Sequence, residues 1–396
     1  MKVIQINSVY AKGSTGRIVK DCEDLFSTLG IETYVITGED KFSSEKIFVT
    51  NTPLTQKFNI LLTRLFGRHG FYNRFSTKRA MKFIDKVSPD IVHLHNIHGH
   101  YINIEMLFKH LRKRNIPVVW TLHDSWAFTG HCSHFDYAGC DRWKHSCGNC
   151  PLRRSYPDSW FFDRSKRNLK DKRRLFTSLE KMHVVTPSNW LGSLAKESFL
   201  NKYPISTVHN GIDTKAFAPV ETDLRERLGL QDKFLLLGIV SSLSGTKGGQ
   251  YFLELSKMLK EDEHIVLLSL EDTAVSLPKN ITALPRTNSV KELSEVYSMA
   301  DVFINPTLQD TFSMINVEAL ACAVPVVTFR TGGCAESLTE KCGIIVQKGD
   351  AKALYEGVEQ IRQGRIKKED CRNRGLEFDH KIKFSEYIDI YKDLIK

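Results

Sequence analysis

Short apolar segments alternate with amphipathic stretches along almost the whole chain. The apolar segments are rich in Val, Ile and Leu, and the stretches between them place apolar residues at helical spacing. The alternation predicts an α/β protein with doubly wound parallel sheets, because parallel neighbours need a crossover helix between them. The strand-like segments are Val3–Ile6, Thr33–Thr37, Ile91–Leu94, Val118–Leu122 and His183–Thr186, then Phe234–Val240, Ile265–Leu270, Val302–Asn305, Val324–Phe329 and Gly343–Val346.

The pattern is interrupted near Lys215–Glu221, where Pro219 lies among mixed polar residues. We therefore expect two Rossmann-like domains, one over residues 1–215 and one over residues 216–396. A final helical pattern over Phe384–Ile395 is a candidate to cross back onto the first domain. Because ligands bind outside the carboxyl ends of parallel strands, two facing sheets predict a ligand cleft between the domains.

The composition is that of an ordinary folded protein, with 396 residues of which 41% are hydrophobic and 26% charged. This length allows two domains with their own cores and excludes wholesale disorder. The N-terminus begins directly with a strand pattern and lacks a signal peptide, and no apolar run approaches the ~18 residues of a membrane span. We therefore expect a cytoplasmic protein whose only membrane contact is peripheral, at the inner face of the cytoplasmic membrane.

The net charge of +10 is concentrated in the first half of the chain. Residues 1–200 contain 31 Lys and Arg against 18 Asp and Glu, and the remaining residues contain 25 against 28. The densest basic stretch is interleaved with Tyr156, Trp160, Phe161 and Phe162. Such a surface suits anionic lipid headgroups or a pyrophosphate-linked lipid acceptor, and equally a solvated helix face. The basic members are Arg153, Arg154, Arg164, Lys166, Arg167, Lys170, Lys172, Arg173 and Arg174.

Nucleic acid is not an expected partner of this basic surface. The sequence contains no helix-turn-helix, no RNA-binding sheet motif and no zinc-finger spacing of the C2H2 type. Basic charge without such a motif does not identify a nucleic-acid-binding protein.

A glycine-rich turn follows the first strand. The segment AKGSTGR contains Gly13 and Gly16 and opens a helix that ends before Gly30. Glycine lets the backbone approach a ligand closely, and the first N–H groups of a helix attract anions, so Gly13 and Gly16 are candidate donor-binding residues. A structural turn capped by Ser or Thr has the same pattern, and the sequence does not distinguish the two.

A more specific pattern follows the strand Val302–Asn305. Residues 307–322 read TLQDTFSMINVEALAC and predict a helix that begins near Thr311, with its positive end available to a diphosphate. Glu318 is then on the same face about two turns further on, with its side chain tilted back within reach of a ribose. Asp310 precedes the helix, where it is either a ligand for sugar hydroxyls or an N-cap.

The acidic pair is followed by ALAC-x-VPVV and then by TGG, and this order resembles the donor site of retaining family-4 glycosyltransferases. The resemblance implies a GT-B fold. It also implies that Glu318 binds the donor ribose, that Asp310 binds the transferred sugar and that the backbone of Thr311, Phe312 and Ser313 binds the diphosphate. The family usually has Glu at the first acidic position, and Asp is the variant expected in relatives that act on surface polysaccharides.

Other marks of the family fall in the expected order along the chain. They are D-x-x-H-x-H-N from Asp90, TLHD from Thr121, TPS from Thr186 and VHNGID from Val208. The TLHD motif places His123 at the end of a strand. The resemblance implies that His123 contacts the donor sugar near its anomeric centre.

One departure from the family concerns the charge of the leaving group. Family members carry an Arg after the first strand of the second domain and a Lys five residues later. This chain keeps Lys247 but has Ser242 at the Arg position, which reduces the stabilisation of a leaving diphosphate. Either another cation, with Arg286 and Arg17 as candidates, replaces the missing Arg, or the activity is weak or lost.

Four cysteines are grouped in an expected insertion over residues 131–151. Cys132, Cys140, Cys147 and Cys150 include one C-x2-C pair, and three histidines lie among them. In a cytosolic chain this favours a structural zinc ion over disulfides. The spacing matches no standard zinc ribbon, so ordinary reduced thiols are an equal alternative.

Taken with the resemblance, these features predict a retaining transferase with His123, Asp310 and Lys247 as catalytic residues. It would move a sugar from a nucleotide-diphosphate donor onto a saccharide acceptor, lipid-linked in type, in capsule, exopolysaccharide or lipopolysaccharide biosynthesis. No catalytic metal is expected, because the helix N-terminus and Lys247 take up the leaving-group charge. The alternatives are an epimerase of nucleotide sugars with the same fold and, because of Ser242, a catalytically silent binding or scaffold protein.

Overall fold

The structure is a computed structural model that describes residues 1–39, 43–271 and 276–396. The chain divides into two compact units, which are described separately. The first unit consists of Met1–His209 together with Phe384–Lys396, and the second consists of Asn210–Lys383. The sequence placed the division six residues later, after residue 215.

Strands and helices alternate along the described chain, as the hydrophobic pattern predicts. The strands are β1 (Lys2–Val9), β2 (Glu32–Glu39), β3 (Ile47–Val49), β4 (Ile91–Leu94), β5 (Val118–Thr121), β6 (Met182–Thr186), β7 (Ile205–Thr207), β8 (Phe234–Ile239), β9 (Glu263–Leu268), β10 (Ile281–Leu284), β11 (Val302–Asn305), β12 (Val326–Phe329) and β13 (Gly343–Val346). The α-helices are α1 (Gly13–Thr28), α2 (Pro53–Phe66), α3 (Arg74–Val87), α4 (Ile104–Arg114), α5 (Ser165–Phe176), α6 (Asn189–Glu197), α7 (Leu224–Arg227), α8 (Gln250–Leu255), α9 (Val290–Ser298), α10 (Met314–Ala321), α11 (Ala351–Arg362), α12 (Lys368–Leu376) and α13 (His380–Ile395).

The first unit contains a parallel sheet with the strand order β3-β2-β1-β4-β5-β6-β7. Its central strands are apolar on both faces because helices cover both sides, and Val3, Ile4 and Ile91 are fully buried. The strand order reverses between β1 and β4. At such a reversal the two neighbouring loops separate, and ligands bind there in open α/β sheets.

The second unit repeats this topology with the strand order β10-β9-β8-β11-β12-β13. All of its strand pairs are parallel, and the order reverses between β8 and β11. The two parallel sheets confirm the predicted α/β class and the Rossmann-like character of both units. The loops that follow β8 and β11 are therefore the first places to look for a ligand site.

The C-terminal part of α13 belongs to the first unit. Tyr387 and Tyr391 are buried there in a cluster with Val3 and Phe26, and the rings of Tyr391 and Phe26 meet edge to face at 5.5 Å. The Tyr391 hydroxyl lies 2.6 Å from Nδ1 of His93. The Tyr387 hydroxyl lies 2.8 Å from the Thr121 hydroxyl, so each buried tyrosine has the polar partner that its burial normally requires.

Three strands were missed by the sequence interpretation, namely β3, β7 and β10. All three lie at an edge of their sheet, and β3 and β7 are also only half-buried along their length. Edge strands of this kind do not show the continuous apolar run that marks a buried parallel strand.

Helices long and apolar enough to cross a bilayer do not occur in residues 1–39, 43–271 and 276–396.

Candidate active site

The loops after β8 and β11 bring two of the predicted catalytic side chains into contact. Nζ of Lys247 lies 3.1 Å from Oδ2 of Asp310, which forms an ion pair. The loops are held close at Gly248, where φ is +78° and an added Cβ would lie 2.0 Å from the carbonyl oxygen of Pro306. Only glycine fits at this contact, so the backbone itself fixes the distance between the two loops.

The lysine of this ion pair is more exposed to solvent than the aspartate. The Lys247 side chain is 55% exposed, whereas that of Asp310 is 19% exposed. An ion pair exposed to this degree contributes only about 0–1 kcal/mol, so an incoming phosphate can recruit Lys247 at little cost. The carboxylate is then available to accept hydrogen bonds from hydroxyl groups.

The helix behind this pair begins later than the sequence predicted. α10 starts at Met314 rather than near Thr311, and Ser313 at the N-cap position is extended. The Ser313 hydroxyl does not cap the helix but accepts a buried hydrogen bond of 2.9 Å from Nδ2 of Asn305. The prediction of the helix start was wrong because residue spacing does not reveal this contact with the end of β11.

The three residues predicted to hold the diphosphate lie in the connection between Asp310 and α10. The side chains of Thr311, Phe312 and Ser313 are buried, and the Phe312 ring packs 5.7 Å from that of Phe378. Phe312 and Ser313 can therefore contact a ligand only through their main-chain groups, which is the role that the sequence analysis assigned to them. Their role in binding stays a prediction.

Glu318 lies one turn, not two, from the start of its helix, because α10 begins at Met314. Its carboxylate is buried and accepts a hydrogen bond of 2.9 Å from the hydroxyl of Tyr297. Tyr297 was not singled out in the sequence, where it is one apolar position of α9 among others. The tyrosine fixes the carboxylate near the N-terminal end of α10, where a ribose next to a bound diphosphate is expected.

Ser242 occupies an exposed turn after β8. Its hydroxyl lies 3.1 Å from that of Ser244 and accepts a hydrogen bond from the Ser244 backbone N–H. The serine thus shapes the turn and supplies no charge. Of the two proposed replacements, Arg17 lies in α1 of the first unit, and Arg286 is exposed beyond β10 at the edge of the second sheet.

The glycine-rich turn of the first unit opens α1. Gly13 is the first helical residue and has φ +60°, and the preceding Lys12 makes no side-chain cap. Gly16 packs against the turn, where an added Cβ would lie 3.3 Å from Ala11 and Tyr10. The Ser or Thr cap of the alternative reading is not formed at the N-cap position. The predicted donor role of Gly13 and Gly16 stays a prediction.

His123 follows β5 and is half-buried. Its Nε2 lies 3.0 Å from Nδ1 of His95, and the two rings are nearly parallel. Burial lowers the pKa of His123 to about 4, although Asp124 opposes the shift. The imidazole is therefore neutral near pH 7 and is suited to hydrogen bonding rather than to charge stabilisation.

Asp124, next to His123, is an ionised carboxylate that organises the following turn. Burial alone would raise the pKa of Asp124, but His98 at 2.8 Å and the backbone N–H of Trp126 lower it to about 2. His98 was not among the predicted site residues. Its partner is fixed by tertiary packing and has no spacing signal in the sequence.

The four clustered cysteines are free thiols. Burial raises the pKa of Cys132 to about 12 and that of Cys150 to about 11, so both are protonated at neutral pH. Cys140 and Cys147 pack beside Cys132 against the core of the first unit.

The described residues contain no ready-made metal site at these thiols. Within the described ranges of the chain, no three His, Cys, Asp or Glu side chains are grouped so as to hold a metal ion. Structural zinc stays a prediction, beside the alternative of reduced thiols.

Comparison with known proteins gives two family matches. The model described as Glycosyltransferase Family 4 matches residues 16–216, just over half of the chain, and the model described as Glycosyl transferases group 1 matches residues 220–378. The putative colanic acid biosynthesis glycosyl transferase WcaC of Escherichia coli K12 is 24% identical over 415 residues, covering 100% of both chains. The N,N'-diacetylbacillosaminyl-diphospho-undecaprenol alpha-1,3-N-acetylgalactosaminyltransferase of Campylobacter jejuni is 27% identical over 47% of this chain and 53% of that protein.

Solved structures share the fold over the whole chain. Sucrose-phosphate synthase from Thermosynechococcus elongatus has a TM-score of 0.73 at 15% identity, covering 99% of this chain and 98% of the other. Anabaena Alr3699/HepE in complex with UDP-glucose has a TM-score of 0.67 at 14% identity, covering 99% and 100%. At such low identity the likeness shows the GT-B fold alone.

We predict that Glu318→Gln weakens binding of a nucleotide-diphosphate sugar by roughly 2 kcal/mol, or about 30-fold, because a charged acceptor for a ribose hydroxyl is lost. Titration calorimetry measures the affinity. The matched control is Tyr297→Phe, which keeps the carboxylate and removes only its internal partner, so its effect on affinity should be smaller. Equal donor affinity in wild type and a folded Glu318→Gln variant would contradict the role of Glu318.

The zinc prediction is tested by elemental analysis of protein purified in reductant without chelators. We predict about one zinc ion per chain, reduced in the double variant Cys147→Ser/Cys150→Ser, together with a lower melting temperature. The control is Cys22→Ser, which alters a buried thiol outside the cluster and should leave the metal content unchanged. Metal-free wild-type protein would assign the four cysteines to the alternative of ordinary thiols.

Proposed function

The chain belongs to Glycosyltransferase Family 4, and from this premise we propose that it transfers a sugar from a nucleotide-diphosphate donor to a saccharide acceptor with retention of configuration. The observation that carries the proposal is the contact between Lys247 and Asp310 at the reversal of strand order in the second unit. A cation for a diphosphate and an acceptor for sugar hydroxyls lie side by side there. Retention rests on the family resemblance.

The chemical roles follow from charge. Lys247 leaves Asp310 for the diphosphate, and charge on that group grows as the glycosidic bond breaks, so the lysine contributes more in the transition state than in the bound ground state. The first turn of α10 adds its partial positive charge. Because Ser242 supplies no cation, Lys247 carries a larger share of this stabilisation. The proposal needs no catalytic metal.

The family resemblance assigns a donor role to one further residue in each unit, Glu318 in the second and His123 in the first. Glu318, held by Tyr297, accepts a hydrogen bond from the ribose. His123, neutral beside His95, hydrogen-bonds the donor sugar.

The proposed acceptor is a lipid-linked saccharide of a surface polysaccharide. The support is the names of two relatives, one a colanic acid biosynthesis transferase and one a transferase for a diphospho-undecaprenol substrate. A nucleotide sugar as donor agrees with the fold neighbour that was solved with UDP-glucose. Such an acceptor requires the protein to work at a membrane surface, which we place at the inner face of the cytoplasmic membrane.

Helix α2 provides a surface suited to this task because its polarity is inverted. The helix is well formed, with a capping box of Thr52 and Thr55 and Gly67 in the left-handed conformation at its end. Its buried positions are the polar residues Asn59 and Thr63. Its exposed large side chains are Leu54 at 80%, Phe58 at 60%, Leu61 at 43% and Phe66 at 46%.

A neighbouring loop extends this apolar surface. The backbone N–H of Trp160 donates to the carbonyl of Arg64 in α2 at 2.7 Å, and the following Phe161 and Phe162 are 65% and 45% exposed. The Arg164 guanidinium lies 5.1 Å from the Phe162 ring. Exposed aromatic and aliphatic side chains bordered by cations are typical of binding to an anionic lipid surface.

A catalytically silent nucleotide-sugar-binding protein is the second candidate, favoured by the uncharged turn at Ser242. Incubation with labelled nucleotide sugars and a membrane-extracted lipid acceptor separates the candidates. Our proposal expects labelled lipid-linked product, the silent protein gives binding without turnover, and an epimerase gives an altered free donor. Absence of product with every donor that binds would contradict the proposed transfer.

In the same assay we predict that Lys247→Ala lowers kcat by ~100-fold or more, with a smaller change in donor affinity, since one preorganised electrostatic contact is lost. Lys348→Ala is the control. It removes another partly exposed cation of the second unit, one that lies outside the loops that follow β8 and β11. Near-normal turnover of Lys247→Ala would shift the leaving-group role to Arg286 or Arg17, which are tested next.

For the membrane surface we predict that Phe58→Glu/Phe161→Glu reduces binding to vesicles of phosphatidylglycerol and phosphatidylcholine by about tenfold or more, because two apolar contacts are replaced by charges repelled from anionic lipid. Co-sedimentation measures the binding. The matched control Leu29→Glu/Ile382→Glu changes two exposed apolar residues outside this surface. Equal binding of both double variants and the wild type would contradict the surface assignment.

A further inference from the structure

A relay of three hydrogen bonds, two of them buried and the last partly buried, connects the backbone of α1 to His123. Nε2 of Gln5 donates to the carbonyl oxygen of Val19 at 3.0 Å. Oε1 of Gln5 lies 3.2 Å from Nε2 of His95, and Nδ1 of His95 lies 3.0 Å from Nε2 of His123. Gln5 and His95 are 0% and 1% exposed. Gln5 is a polar residue in the middle of the apolar strand β1, which is the only sign of this role in the sequence.

The first hydrogen bond of this relay, from Gln5 to the Val19 carbonyl, determines which atom donates and which accepts in the other two. A backbone carbonyl can only accept, so the Gln5 amide nitrogen must face Val19 and its oxygen must face His95. That oxygen can only accept, so Nε2 of His95 carries a proton. In a neutral imidazole the other nitrogen is then an acceptor, and Nε2 of His123 must donate to it.

The imidazoles of His95 and His123 are both neutral near pH 7, which these donor and acceptor roles require. Burial lowers the pKa of His95 well below its usual value, and the neighbouring His93 and His123 add to the shift. Burial lowers the pKa of His123 to about 4, with Asp124 opposing the shift and His98 adding to it. A second proton removes the acceptor nitrogen of the ring that carries it: on His95 it would prevent the bond from His123, and on His123 it would remove the acceptor offered to a substrate.

We propose that Gln5 and His95 are positioning residues that hold His123 as its Nε2–H tautomer, so that Nδ1 of His123 acts only as a hydrogen-bond acceptor. This inference rests on the proposed function for the statement that His123 meets the substrate. An acceptor nitrogen selects a substrate group that donates, such as a sugar hydroxyl, and is matched poorly to an ether or a fluorine at the same place. The relay therefore turns a histidine that has two possible forms into a group with one defined hydrogen-bonding role.

Reversal of the relay is costly within the folded protein. Turning the Gln5 amide would place Oε1 against the Val19 carbonyl oxygen, so that two buried acceptors would face each other without a donor. An unsatisfied buried polar group costs about 1–3 kcal/mol, which is enough to keep one tautomer dominant by roughly fivefold to more than a hundredfold.

The tautomer is measured directly by long-range 1H–15N correlation spectra of the full chain labelled at histidine. The His123 signals are assigned by their loss in His123→Gln, and His183, which lies 2.9 Å from the Ser206 hydroxyl, is an internal control. Wild type should show a protonated Nε2 and an unprotonated Nδ1 at His123. A wild-type spectrum with a protonated Nδ1 would overturn the proposal.

Two variants at Gln5 separate positioning from packing. Gln5→Leu has similar size but no acceptor, so the His95 proton should move to Nδ1 and the His123 proton to Nδ1 in turn. Gln5→Glu, with its buried carboxyl group protonated, keeps a donor to the Val19 carbonyl and an acceptor for His95, and should keep the wild-type tautomers. Unchanged tautomers in folded Gln5→Leu protein, with folding checked by the remaining histidine signals, would also overturn the proposal.

Transfer kinetics supply the functional test of the same variants. Gln5→Leu should lower kcat/KM by about tenfold, as expected for the loss of one hydrogen bond, and Gln5→Glu should recover most of it. Equal losses in both variants would assign Gln5 to packing only and overturn its positioning role. Failure of the proposed transferase function would appear instead as absence of turnover in wild type, and the spectra would still decide the tautomer.

Discussion

In a parallel sheet all strands end at the same edge, and the connections that follow two neighbouring strands turn to opposite faces of the sheet where the strand order reverses, which leaves a crevice for a ligand. Both units of this protein have that reversal, between β1 and β4 and between β8 and β11. Several of the residues discussed above follow the strands at these reversals. Gly13 follows β1 and His95 follows β4, whereas Lys247 follows β8 and Asp310 follows β11.

The two charged side chains at the reversal of strand order in the second unit remain accessible to a ligand. Lys247 and Asp310 satisfy each other through an exposed contact that is weak in water, and Gly248 holds their loops together through the backbone. In our proposal, a bound diphosphate and sugar replace this internal ion pair by two ligand contacts. The same proposal gives Lys247 a larger share of the leaving-group stabilisation, because Ser242 supplies no charge.

Buried polar groups supply the accuracy that such a site needs. Asn305 holds Ser313 out of α10, Tyr297 fixes the Glu318 carboxylate, and Gln5 fixes the His95 ring beside the site. Each group is buried and needs a partner, because an unpaired polar atom away from water is costly. The same requirement that stabilises the fold thus determines the direction in which the candidate site residues point.

The sequence by itself determined the α/β class, the central strands and the grouping of Asp310, Glu318 and Lys247 as candidates, since these depend on local periodicity and on short motifs. Only the tertiary structure decided where α10 begins and which face of α2 is buried. It also decided the partner of Gln5, which contacts His95 from 90 residues away. The physical reason is that local spacing specifies secondary structure, whereas the satisfaction of buried polar groups depends on contacts between residues that are distant in the chain.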